Sequence, residues 1–143
     1  MHTLAAEQLI TNLDAYIEFL RQVKDWKANR TFTNLEKNLW DALHDPPTLE
    51  ELATLAVYSQ CVSVPYVAHI RSNPDLNALD MGPYYQSILT FCQSIIDDPN
   101  LVLGENAFDT PATLGGGQFH RPEVMYAIHR LAPGMPHLRP LIQ

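Results

Sequence analysis

Apolar residues near the N-terminus recur at Leu9, Leu13, Tyr16, Leu20 and Val23, spaced 4, 3, 4 and 3. That period lays them along one edge of a helix and is the heptad seam of a coiled coil. Ile10 and Ile17 widen the stripe, while Phe19 and Trp26 fall outside it. Thr3 is placed to cap, and neither Pro nor Gly interrupts residues 3–29. The pattern predicts one long N-terminal helix there, about 40 Å at 1.5 Å per residue.

A second helix follows from the capping box Thr33-Asn34-Leu35-Glu36, in which threonine and glutamate each satisfy a free backbone donor of the other. Leu35, Leu39 and Leu43 stripe it, and Asp45-Pro46-Pro47 reads as its stop, because proline lacks an N–H and disfavours helix before it. Thr48-Leu49-Glu50-Glu51 reads as a further capping box. It opens a third helix through Leu52, Leu55 and Val62 to Ser63, apolar on most sides and therefore central. Pro65 predicts a kink or a new start, with Ser63 capping a short helix that bears Tyr66, Val67 and Ile70 and closes at Asn73-Pro74. Tyr84, Ile88, Phe91, Cys92, Ile95 and Ile96 mark the next helix, from Pro83 to Asp97-Asp98-Pro99. Residues 99–121, with Pro111 and Gly115-Gly116-Gly117, read as irregular. Val124, Met125, Ile128 and Leu131 give a last short helix from Pro122 to Pro133-Gly134.

Together these elements predict an all-α fold, an irregular bundle of five or six helices with a long N-terminal helix and a loop-rich C-terminal third. The expected core is Leu13, Leu20, Leu39, Leu52, Leu55, Val62, Ile88, Phe91 and Ile95. The 143 residues read as one helical domain, with residues 1–98 as a helical core and 99–143 as loop plus short helix. The apolar ending, with Leu138, Leu141 and Ile142, raises the alternative of a piece of a longer protein.

Composition narrows the function classes. Charged residues are only 17% of the chain, below the usual quarter, as a domain with a face for a partner would be. The net charge of −7 is uneven: residues 41–110 hold ten acids and one base, Arg71. Such a surface repels phosphate backbones and suits a basic partner. No basic stretch followed by an apolar core opens the chain, and no run reaches the roughly 20 apolar residues of a membrane span, so the expected location is intracellular, cytoplasmic or nuclear, with no membrane partner. Cys61 and Cys92 sit in apolar helical runs and read as buried thiols, and Asn29-Arg30-Thr31 as a chance match to a glycosylation acceptor.

Candidate chemistry is sparse. His120, His129 and His137 are nine and eight residues apart, and zinc ligands come as closer pairs, so neither a metal nor a cofactor is expected. The triple glycine lacks the lysine of a phosphate loop and reads as a flexible connection. Glu50-Glu51 and Asp97-Asp98 are sequence neighbours on different helix faces and read as cap and end charges. Arg21, Lys24, Lys27 and Arg30 recur every three residues around Trp26 and could follow a phosphate backbone.

Three functions remain in order. The first is a helical protein–protein interaction or assembly domain without catalytic activity, with a protein partner or self-association through Leu9, Leu13, Tyr16, Leu20 and Val23. The second is an accessory domain of a nucleic-acid-handling protein, binding through residues 21–37. The third is an enzyme with a histidine-based site near residues 104–130, using His120 or His129 as acid or base.

Overall fold

The computed structural model describes residues 2–110 and 112–143; Pro111 lies outside the described residues. The chain is all-helical, about three-quarters helix with no strand among the described residues. The helices are α1 (His2–Thr11), α2 (Leu13–Trp26), α3 (Asn34–Leu43), α4 (Pro46–Tyr58), α5 (Val64–Ser72), α6 (Gly82–Asp97), α7 (Asn100–Leu103), α8 (Pro122–Leu131) and α9 (Leu138–Ile142).

The single N-terminal helix expected over residues 3–29 is two helices. The Asn12 side-chain amide donates to the Gln8 carbonyl at 3.0 Å, and Asn12 leaves helical geometry (φ −110°, ψ 23°). A side chain that competes for the backbone acceptor of the preceding turn bends the chain there. Thr3 lies within α1 instead of capping it, and α2 ends at Trp26, followed by Arg30 at φ 48°.

The capping box at Thr33 forms with both of its bonds, so α3 begins where its sequence indicates. The box expected at Thr48 does not form. Asp45 caps α4, accepting from the Thr48 backbone N–H at 3.0 Å and its hydroxyl at 2.6 Å. Pro46 therefore starts α4, because the first turn of a helix needs no donor from its backbone nitrogen.

Residues 46–72 form one continuous helical run. Between α4 and α5 lies a π-helical turn, Ser59–Ser63. Pro65 follows it, with no new start, and Ser63 makes no capping bond. A proline in a helix clashes with the carbonyl four residues earlier and leaves it without a donor. Here that carbonyl belongs to Cys61, and it accepts instead from the Leu114 N–H at 2.7 Å. The wider turn accommodates the proline ring, and the released carbonyl fastens the 113–117 loop to the helix.

α4 is the hub, packed by α1, α3, α8 and α9. The main core joins Ile10 of α1, Ala53, Ala56 and Val57 of α4, and Val124, Met125 and Ile128 of α8. Eight of its fifteen buried residues come from residues 99–143. A smaller cluster of Leu13, Leu20 and Leu43 joins α2 to α3. Of the expected core, Leu13, Leu20, Val62 and Ile95 are buried and Leu52, Ile88 and Phe91 are half-buried against it, but Leu39 and Leu55 are exposed. Helical spacing alone does not say which edge of a broad apolar stripe faces inward. The 99–121 segment is less irregular than its composition indicates, since it holds α7 and a 3-10 turn at Glu105–Ala107.

Candidate functional site

The N-terminal seam is largely filled from within the chain. Leu13 and Leu20 are buried against Leu43, with Leu9, Ile17, Phe32 and Trp40 packed around them. Val23 is half-buried, and Tyr16 stands at the exposed edge. What α2 offers to solvent is its other side, where Phe19 and Trp26 are 57% and 76% exposed.

The basic residues of 21–37 are mostly engaged nearby. Arg21 pairs with Glu18, Lys27 with Glu36 and Lys37 with Asp41, while Lys24 lies 5.0 Å from the centre of the Phe32 ring. The Lys27 ammonium, followed by the Thr33 backbone N–H, holds the Glu36 carboxyl below its usual range. Arg30 joins Lys24, Lys37 and Trp40 around a shallow concavity.

The three C-terminal histidines do not converge. His129 bonds through Nε2 to the Val102 carbonyl at 2.9 Å and rests near the Phe108 ring. His137 gives its backbone N–H to the Glu50 carboxylate at 2.7 Å. His120 is exposed. Among the described residues no group of three His, Cys, Asp or Glu could hold a metal ion. Glu50 is thus no cap charge. It is 1% exposed and organises the turn before α9, while Glu51 faces solvent. The glycine run is a tight turn in which Gly115 and Gly116 have φ of 89° and 72°, and the Thr113 hydroxyl donates to the Gly117 carbonyl at 2.6 Å. Those left-handed angles are open to glycine at little cost.

Two features stand out that the sequence reading missed. The first is the surface of α6. Tyr84, Ile88, Phe91 and Ile95 are spaced 4, 3 and 4, and so, one residue on, are Tyr85, Leu89, Cys92 and Ile96. Successive residues lie about 100° apart on a helix, so these are two neighbouring seams. The first packs inward, with Ile88, Phe91 and Ile95 against the main core and Tyr84 stacked on His69 at 3.9 Å. The second faces out except at Cys92, which is half-buried against the core; Leu89 is 64% exposed, and Tyr85 and Ile96 are also exposed. It borders an apolar groove of about 190 Å³, floored by Cys61, Val62 and Ile95 and rimmed by Tyr58, Ile96 and Leu141. No charged residue occurs from 81 to 96, nor from 52 to 70. Burial pushes the Cys61 thiol up to about 12, with Cys92 nearby adding to it. A spacing count over α6 that sought two seams instead of one would have found this face.

The second feature is a buried polar junction beneath a cleft. Glu7 of α1 is 2% exposed. Its carboxylate accepts from the Gln60 side-chain amide at 2.7 Å and from Arg121 Nη1 at 3.1 Å. Gln60 sits in the π-turn and accepts the Arg121 backbone N–H at 2.8 Å. Arg121 also reaches Glu123 at 3.0 Å. Three segments distant in sequence are tied there with each partner satisfied, which is what a buried charge requires.

Comparison with known protein families, with curated proteins and with solved structures returned no match. No helix among the described residues is long and apolar enough to cross a membrane.

Proposed function

We propose that this chain is a helical interaction or assembly domain without catalytic activity, whose contact face is the outer seam of α6 and the groove beside it. The observation that carries the reading is surface area. A monomer of 16.2 kDa exposes about 7,450 Å² by the usual scaling with mass. This chain exposes 8947 Å², roughly a fifth more. The excess exceeds the roughly 800 Å² that each partner buries in a standard interface. The uncharged, apolar face of α6 is where a partner can remove such area without stranding a charge. The sequence-based candidate, the seam of Leu9, Leu13, Tyr16, Leu20 and Val23, already has partners within the chain for its central leucines.

A second copy of the chain, meeting seam to seam, is the partner to test first. Asp80 and Asp97-Asp98 bracket the face, so two copies bring like charges together at its ends, and salt that screens them strengthens association. Sedimentation velocity over a hundredfold concentration range, at low and high salt, tests this on the native chain and Leu89→Glu. The expected result is a mass that climbs with concentration, more steeply at high salt, and a monomer for Leu89→Glu. A native chain monomeric throughout rejects self-assembly. The acidic brackets favour a second reading in that event, a partner helix with basic ends. If Phe19→Glu dissociates the assembly and Leu89→Glu does not, the contact belongs to α2.

A further inference from the structure

We infer that the cleft above the Glu7–Gln60–Arg121 junction is a binding site for a small organic monocarboxylate with a short apolar tail. The cleft, about 380 Å³, opens between α1, the π-turn with α5, and the strip at His120 and Arg121. Its size falls in the range of small-molecule sites.

Four observations converge on it. Ser59, Ser63, Val67 and Arg71 stand four residues apart along the continuous helix and all line this cleft. In a plain α-helix such a series drifts by about 40° at each step, and the wider π-turn reduces that drift where Ser59 and Ser63 sit. π-turns occur often at functional sites for this kind of reason, because they re-aim side chains. Next, the hydroxyls are free. Thr54, Ser72, Ser87 and Ser94 each donate to a carbonyl three or four residues back. Ser59, 2% exposed, and Ser63 have no hydrogen-bond partner among the described residues. The third is Arg71, the one base of residues 41–110, with no carboxylate within 4 Å among the described residues. Last, one stretch of wall is apolar, formed by Leu4, Val64 and Ala68 with Val67, and Thr3 and His120 complete the lining.

Charge selects the ligand. The Glu7 and Glu123 carboxylates outnumber the Arg121 guanidinium between them, so among the described residues Arg71 is the lining arginine left to pair with a ligand's charge. One guanidinium pairs with one carboxylate, whereas a phosphate dianion would set a second negative charge beside Glu7, which lines the same cleft. A guanidinium fork and two hydroxyl donors suit the two oxygens of a carboxylate, and the apolar wall takes the tail.

Backbone amide NMR at neutral pH, titrating hexanoate, butanoate and inorganic phosphate at matched ionic strength, tests the inference. Hexanoate is expected to give saturable shifts confined to residues 3–7, 59–71 and 119–121, binding more tightly than butanoate and far more tightly than phosphate. Arg71→Gln should weaken hexanoate at least tenfold, and Ser63→Ala by less. Arg71→Lys keeps the charge but loses the fork, and serves if the glutamine variant is unfolded. No saturable shift with hexanoate overturns the inference. So does phosphate binding as tightly, or affinity unchanged in the Arg71 variants. None of these readouts depends on the association state of α6.

Discussion

Replacing Gln60 by leucine isolates the worth of the buried junction. Gln60 is fully buried and bonds on both sides, donating to Glu7 and accepting from the Arg121 N–H. Leucine is similar in volume, so little cavity forms, and the change is chiefly one of hydrogen bonding. A bond to a charged group contributes about 1.5–3 kcal/mol, and a buried backbone donor left unsatisfied costs about 1–3 kcal/mol. Arg121 is partly exposed, so water recovers some of its share, and the expected loss is about 3 kcal/mol. For a chain of this size that lowers Tm by about 10 °C. Chemical denaturation should show the midpoint falling with the slope unchanged. In a Glu7→Gln background the same substitution should cost at least about 1 kcal/mol less, since residues in one network are coupled. A loss under about 1 kcal/mol, or strict additivity with Glu7→Gln, would refute the view that this junction joins α1, the π-turn and the start of α8.

Other outcomes follow from the same structure. Ile128, fully buried in α8, should lose about 2–5 kcal/mol on truncation to alanine, measured by denaturant unfolding. With a thiol-specific reagent near pH 8, Cys92 at the groove should react readily. Cys61, buried and raised to about 12, should react only as fast as the chain opens; equal rates would contradict the packing. If the α6 face associates, Cys92 labelling should slow as protein concentration rises. The depressed Glu36 carboxyl contributes stability above its unfolded pKa of about 4.5 that is lost as pH falls through its lower folded value. Unfolding midpoints of the native chain and Glu36→Gln should therefore converge in acid, and a constant gap across that window would count against the Lys27 pairing.

Local chemistry was the legible part of the fold. The Thr33 box, the proline at the start of α6 and the limits of α8 depend on residues within a turn of one another, and the sequence holds those in plain sight. Competition between two local rules was less readable. Asp45-Pro46-Pro47 carries both a stop and a start, and the start prevails because Asp45 caps it. Asn12 is an ordinary helix residue until its amide turns back onto Gln8. The sites were the least legible. Glu7, Gln60 and Arg121 are 53 to 114 residues apart, and no spacing rule couples them before the helices are packed. The outer seam of α6 was present in the spacing, but burial alone separates it from the inner seam.

The π-turn gives two opposite faces of the molecule a common wall. It is one surplus residue in a continuous helix, held in place by the Pro65 ring that it accommodates and by the bond from the Leu114 N–H to the Cys61 carbonyl. Cys61 and Val62 of that turn floor the groove on one side, while Ser59 and Ser63 line the cleft on the other. Deleting the surplus residue would re-aim both sets of side chains at once, because each residue of a helix turns by about 100°. The groove and the cleft thus share one structural element, and a change to the turn alters a wall of each.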